Sequence, residues 1–202
     1  MRRGLAHDDG MVAELKDPEL PPRRRLKRAE YDHLVALGAF DGERIELLYG
    51  ELVPMSPQGR PHRWLVHTLQ ESLQALLPKR VAVQTHAPVV ADDDSEPEPD
   101  VAVFDRAEHR FDRLPSTLYL VIEVADSSRV RDLKVKRRLY AESAFPEYWV
   151  FDLVERRLHV HREPRDGDYQ EVVVLAPDDG VTVSPSLFPD VVLELAPLFP
   201  PA

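Results

Sequence analysis

No cysteine occurs anywhere in the 202-residue chain, which excludes disulfide bridges, zinc ribbons and thiol nucleophiles. No stretch approaches the ~18 apolar residues that a membrane-crossing helix needs. The run Leu118–Ile122 has only the length of a strand. The chain begins Met1-Arg2-Arg3, but no apolar segment follows these charges, so no signal peptide is expected and a soluble cytoplasmic protein is the default. An excess of positive charge is also missing. Lys and Arg number 26 against 36 Asp and Glu, for a formal net charge of -10. A polyanion therefore meets no global attraction. That counts against non-specific coating of nucleic acid, but not against an enzyme that steers DNA with local basic stretches. Two such stretches exist, Arg23–Arg28 and Arg129–Arg138, and the plain alternative for each is a solvated face.

Apolar residues make up 43% of the sequence, enough for a sizeable core. The length suits one ordinary domain. Residues 1–22, with Pro18, Pro21 and Pro22, read as a flexible leader, and 23–202 as a single domain.

Patterning predicts a helix over Lys27–Leu37 and a hairpin of Arg44–Leu48 with Glu51–Met55, turning at Gly50. A longer helix opens at Pro61 and runs to about Leu77, with Val66, Leu69, Leu73 and Leu76 on its inward face. His62 falls on the same face, at the N-terminal end. Strands are expected at Val81–Thr85, Pro88–Ala91 and Val101–Phe104, the last entered through an acidic, proline-rich loop that delivers Asp100. Leu118–Val124 is almost continuously apolar, the pattern of a strand covered on both faces. A helix starting between Ser128 and Asp132 and ending before Pro146 leads to a second such strand, Glu147–Phe151. Strand, helix and strand with short links imply a parallel, right-handed crossover. Arg157–Arg162, Tyr169–Leu175 and Val181–Val183 read as an antiparallel meander. The fold class is thus α/β, a mixed sheet flanked by helices.

Glu123 is the anomaly of its strand, because a buried carboxylate is costly unless it is paired or binds a cation. It stands one residue from the strand end, where sheet ligand sites lie. Asp100 begins a strand that can lie alongside. Two carboxylates at neighbouring strand ends make a hard, oxygen-rich site of the kind Mg²⁺ or Mn²⁺ prefers. On the following helix Asp132, Lys136 and Tyr140 share a face, so Lys136 can reach the pair, there to lower a water's pKa or to offset charge growing on phosphate. Asp132 is expected to open the helix and orient Lys136, while Tyr140 and Trp149 read as core. Glu46 interrupts an apolar strand and is a candidate to bind a second metal or to orient the water. His62 is a candidate for phosphate contact or proton transfer. His159 and His161 alternate along a strand without a third ligand and are assigned to an exposed face.

These spaced residues resemble a known family. Glu46-Leu47-Leu48-Tyr49-Gly50-Glu51-Leu52-Val53, Met55-Ser56-Pro57 and His62 resemble the front half of the Uma family of restriction-endonuclease-like proteins. Glu98-Pro99-Asp100-Val101 looks like its Pro-Asp motif. Val121-Ile122-Glu123-Val124 with Ser127, Ser128, Asp132, Lys136, Tyr140 and Pro146-Glu147-Tyr148-Trp149 looks like its central signature, and Ser184-Pro185 with Leu187-Phe188-Pro189 fits its end. The resemblance covers roughly residues 27–199. It implies the PD-(D/E)XK nuclease fold, with Asp100 and Glu123 as the acidic pair and the Val124 carbonyl as a further metal ligand. One departure stands out. The superfamily lysine belongs two residues after the glutamate, where this chain has Ala125, and Lys136 takes its place from the next helix. The expectation is a Mg²⁺- or Mn²⁺-dependent endonuclease acting on DNA, working as a homodimer, with Asp100, Glu123, Lys136, Glu46 and His62 at its site. A non-catalytic nucleic-acid-binding or regulatory module of the same fold is the alternative.

Overall fold

The structure is a computed structural model and describes residues 24–201. The leader expected over 1–22, and Arg23 of the first basic stretch, lie outside the described residues. Helix α1 (Arg28–Ala36) leads to the hairpin β1 (Ile45–Leu48) and β2 (Glu51–Pro54). Its two-residue turn has positive φ at both Tyr49 (51°) and Gly50 (77°), the backbone twist that suits tight hairpins. Gly50 is also required by proximity, since an added Cβ would lie 2.5 Å from the Arg25 Cβ. The chain entering α1 crosses the hairpin tip there, and the Leu26 N–H donates to the Gly50 carbonyl at 3.0 Å.

The central sheet has six strands in the order β3 (Val81–Thr85), β4 (Val101–Asp105), β5 (Leu118–Ala125), β6 (Glu147–Asp152), β7 (Arg157–Arg165) and β8 (Asp168–Leu175). β5 and β6 pair in parallel, and the other neighbours pair antiparallel. The parallel pair is joined by a helical segment whose first part, Arg131–Lys136, is π-helical and whose second part is α3 (Arg137–Glu142). Helix α2 (Arg60–Leu76) covers one face of the sheet with Leu65, Val66, Leu69 and Leu73, joined by Leu77 just beyond its end. α3 covers the other.

Alternation along the strands decides what each face receives. Leu120, Ile122 and Val124 of β5 point into the α2 core, as do Trp149 and Phe151 of β6. Val121 and Ala125 point into the α3 core with Tyr140, Tyr148 and Val150. Glu123 lies between Val121 and Ala125 in this alternation, so it faces α3. In β4, Ala102 and Phe104 are on the α3 side, and Asp100 continues their parity.

Four expectations are corrected. Leu76 is 50% exposed, because the buried stripe of α2 steps by four residues through Leu65, Leu69 and Leu73 to Leu77. Pro88–Ala91 is not a strand. Its amides bond irregularly, Val89 to Pro97 and Val90 to Pro115. Pro88 brings no N–H, and its proline-rich partners cannot complete a ladder. Thr182–Val183 (β9) leaves the meander and pairs instead with β10 (Leu193–Glu194), after Pro177 and the turn at Gly180 (φ 80°). Next to β10, helix α4 (Leu195–Leu198) joins the α2 core. Finally, His161 is not on an exposed face. It is 1% exposed, with ring centroids 5.4 Å from Tyr148 and 5.8 Å from Tyr169. His159 keeps partial exposure at the side chain. α3 lies over β7 and β8 there, so this strand face is a core face.

Candidate active site

Antiparallel pairing of β4 with β5 sets Val101 opposite Ile122, which brings Asp100 beside the Glu123–Val124 peptide. The Val124 N–H donates to Asp100 Oδ2 at 2.8 Å. The same oxygen lies 3.0 Å from His62 Nε2, at the first turn of α2. Asp100 Oδ1 takes a weaker contact from Gln58 Nε2 at 3.4 Å and lies 3.5 Å from His86 Nδ1. Burial alone would raise the Asp100 carboxyl, but hydrogen bonds from His62, His86 and the Val124 amide overcome it and hold the group well below the usual carboxylate range. Asp100 is thus a fixed anion.

A second cluster abuts the first. Lys136 Nζ lies 2.9 Å from Glu123 Oε1 and 2.8 Å from Glu46 Oε2. The Tyr140 hydroxyl donates to the same Glu123 oxygen at 2.8 Å, and the Glu98 N–H donates to Glu46 Oε2 at 3.2 Å. All four side chains are buried. The helical segment accounts for the reach of Lys136. Asp132, Lys136 and Tyr140 form its inward face, and the Arg137 N–H reaches back five residues to the Asp132 carbonyl. Tyr148 anchors that carbonyl with its hydroxyl at 3.0 Å. Single π-turns of this kind recur at functional sites. Asp132 itself is buried, and its carboxylate accepts from Ser128.

The charges do not balance. Burial works against the charged form of Lys136, yet Glu123, Glu46 and Asp132 hold its pKa well above the ordinary value. Burial pushes the Glu123 carboxyl upward against the pull of Lys136, and Asp100, Asp132 and Glu46 push it further. We take Lys136 as a firmly held ammonium among more carboxylates than it can neutralise. Glu46 Oε1 is buried without a hydrogen-bond partner, with Arg131 Nε at 3.8 Å. His62 Nδ1 is likewise unpartnered.

A cleft of about 40 Å³ opens above these groups, lined by the Met55–Gly59 loop, Asp126–Ser128, His62, Asp100, Glu123, Asp132 and Lys136. It has room for about three water-sized bodies. Among the described residues no group of three His, Cys, Asp or Glu side chains converges at metal-binding geometry. Mg²⁺ does not need one, since it keeps several waters and is often held by one or two carboxylates. The Asp100 and Glu123 carboxylates on the lining, the buried anions beside them and the absence of cysteine fit such an ion.

Of the residues expected at the site, His62, Asp100, Glu123 and Lys136 line the cleft, whereas Glu46 is not on its lining and reaches the cluster through Lys136. Val124 contributes its N–H to Asp100. Three participants escaped the sequence reading. Tyr140 was expected only as core, although its spacing from Lys136 was visible. Gln58 and His86, in contact at 3.0 Å, sit on irregular segments with no periodic signal. His159 and His161 are not part of the cleft lining.

Residues 28–196 match the Uma2 family, described as "Putative restriction endonuclease". The chain belongs to the Uma2 family. A solved structure with the same fold is that of a "putative nuclease belonging to DUF820" from Anabaena variabilis ATCC 29413, at 19% identity and a TM-score of 0.63, over 78% of this chain and 90% of that one. No curated protein matches the chain. No helix among the described residues is long and apolar enough to cross a membrane. The Uma2 assignment and the mixed sheet agree with the restriction-endonuclease-like fold expected from the sequence.

Proposed function

We propose that this Uma2 protein is a Mg²⁺- or Mn²⁺-dependent endonuclease that hydrolyses phosphodiester bonds of DNA. The observation that carries the reading is the meeting of Asp100, Glu123, Lys136 and Glu46, distant in the chain, beneath one cleft. Asp100, Glu123 and the Val124 carbonyl would hold the metal, with Glu46 beside them. Bound there, a divalent cation supplies a more acidic water and neutralises charge on the phosphate oxygens.

The chain's own groups do the rest. Hydrogen bonds from His62 and Val124 fix the Asp100 carboxylate in one orientation. The Lys136 ammonium stays protonated, so its role is cationic: it offsets negative charge that grows on the phosphorus centre. The Tyr140 phenol, its pKa driven far up by burial, keeps its proton and donates it in a hydrogen bond to Glu123 Oε1, leaving Oε2 for the cleft. His62, whose Nδ1 has no partner, is assigned the contact to phosphate or the transfer of a proton. Nucleases that cut both strands often work as dimers, and a homodimer is part of the proposal for that case.

The test is incubation of pure protein with plasmid, single-stranded DNA and RNA, with Mg²⁺ or Mn²⁺ against EDTA. Cleavage requiring metal, and reduced about 10²–10³-fold in Lys136→Gln, is expected. Cleavage surviving Asp100→Ala would show that another activity was measured. A non-catalytic nucleic-acid-binding or regulatory module is the second reading. It is favoured by Ala125 at the superfamily lysine position and by the net charge of -10, and it predicts metal binding without products.

A further inference from the structure

We propose that the groove between the β1–β2 hairpin and the outward face of the Arg131–Glu142 helical segment binds one unpaired polynucleotide strand and leads it to the cleft. The proposal rests on the nuclease reading of that cleft and adds which form of nucleic acid it takes. The groove, of about 950 Å³, is continuous with the cleft: Ser56, Ser127, Ser128 and Arg131 line both. The helical segment therefore has two working faces. Asp132, Lys136 and Tyr140 point inward to Glu123. Arg131, Lys134 and Arg138, at spacings of three and four, line the groove.

The groove lining combines cations with apolar and aromatic side chains, a mixture that suits a single strand. Arg25, Arg131, Lys134 and Arg138 supply cations, against Glu51 as the acidic lining residue. Arg138 is already engaged by Glu142 at 2.8 Å, and Arg131 donates to the Pro54 carbonyl at 2.9 Å. Arg25 and Lys134 are exposed and make no ion pair with any described residue within 4.0 Å. The same lining includes Tyr49, Val53 and Val135, with Val130 68% exposed. An unpaired strand offers phosphates to the cations and base faces to such apolar and aromatic surface. A duplex offers its phosphates but keeps its base faces stacked, so Val53, Val130 and Val135 would stay uncovered. A protein of net charge -10 also lacks the broad basic surface that carries duplex affinity.

The experiment is fluorescence anisotropy of short labelled oligonucleotides, as single-stranded DNA, single-stranded RNA and duplex DNA. The full chain is used as Asp100→Ala in EDTA, so that binding is read without cleavage. Either single strand should bind more tightly than the duplex, and the two strand arms distinguish the sugar. Adding Arg25→Gln with Lys134→Gln should weaken strand binding about tenfold or more. It should also flatten the salt dependence, the slope of log K against log salt falling by about 1.4 for two lost phosphate contacts. Both positions are exposed, and an unchanged melting curve confirms that the fold is kept. Strand binding unaffected by the two substitutions, duplex binding tighter than strand binding, or no binding at all would overturn the groove. Groove-dependent strand binding, with no cleavage by the wild type in Mn²⁺, would instead remove the nuclease reading and leave the groove standing.

Discussion

Lys136 is held between Glu123 and Glu46 with almost no exposure, and buried charges of this kind are far more costly broken than whole. Lys136→Ala should destabilise the protein by about 3–5 kcal/mol, because two facing carboxylates lose their shared cation. Urea unfolding in EDTA reads this loss. Saturating Mn²⁺ should restore part of it if the carboxylates bind the ion, and no recovery would argue against the site as a metal site. A different residue, His161, contributes to the response to mild acid, against Glu96, whose carboxyl burial pushes up to about 8. Burial pushes the His161 imidazole down to about 4, a neutral ring donating from Nδ1 to the Tyr148 carbonyl. The unfolded chain takes up this proton near pH 6.5, the folded chain only near 4. Stability from this group is therefore complete above about pH 6.5 and is lost as pH falls toward 4, by on the order of 3 kcal/mol. His161→Phe should remove this contribution from the change in unfolding free energy between pH 7 and 5. An unchanged slope would contradict the assignment. Glu123 and Lys136 were legible in the sequence because a charge inside an apolar strand, followed by a lysine at helical spacing, is conspicuous. His86 and Gln58 were not, because irregular segments carry no period from which a direction can be read.

At the scale of elements, the hydrophobic pattern located α2 but misjudged its last turn. Leu69 is fully buried against the sheet, whereas Leu76 is half exposed. Leu69→Ala should cost about 2–5 kcal/mol through the lost apolar surface and the cavity, while Leu76→Ala should stay within about 0.5 kcal/mol. Chemical denaturation of the two variants decides between the observed stripe and the expected one. The π-turn at Arg131–Lys136 had no local signature in the sequence. Its extra residue is stabilised by what lies across from it: the Tyr148 hydroxyl on the Asp132 carbonyl, and Ser128 on the Asp132 carboxylate. Pro88–Ala91 failed as a strand for the opposite reason. Its apolar pattern was sound, but the prolines around it had no amides to pair.

Across the whole molecule, one topological fact does most to make a site. β4 runs antiparallel and β6 parallel to β5, so the start of β4, the end of β5 and the crossover helix meet at one edge of the sheet. The apolar runs implied the parallel pair, but strand order and the separate β9–β10 ribbon depend on distant partners and were not readable. The assembled edge concentrates Glu46, Asp100, Glu123 and Asp132 near Lys136 and Arg131. The account stands on that excess of anions being a seat for a divalent cation. Calorimetric titration of the wild type and of Asp100→Ala with Mn²⁺ tests it most directly. Saturable binding by the wild type that disappears in Asp100→Ala is the predicted result, and equal binding by the two proteins would contradict it.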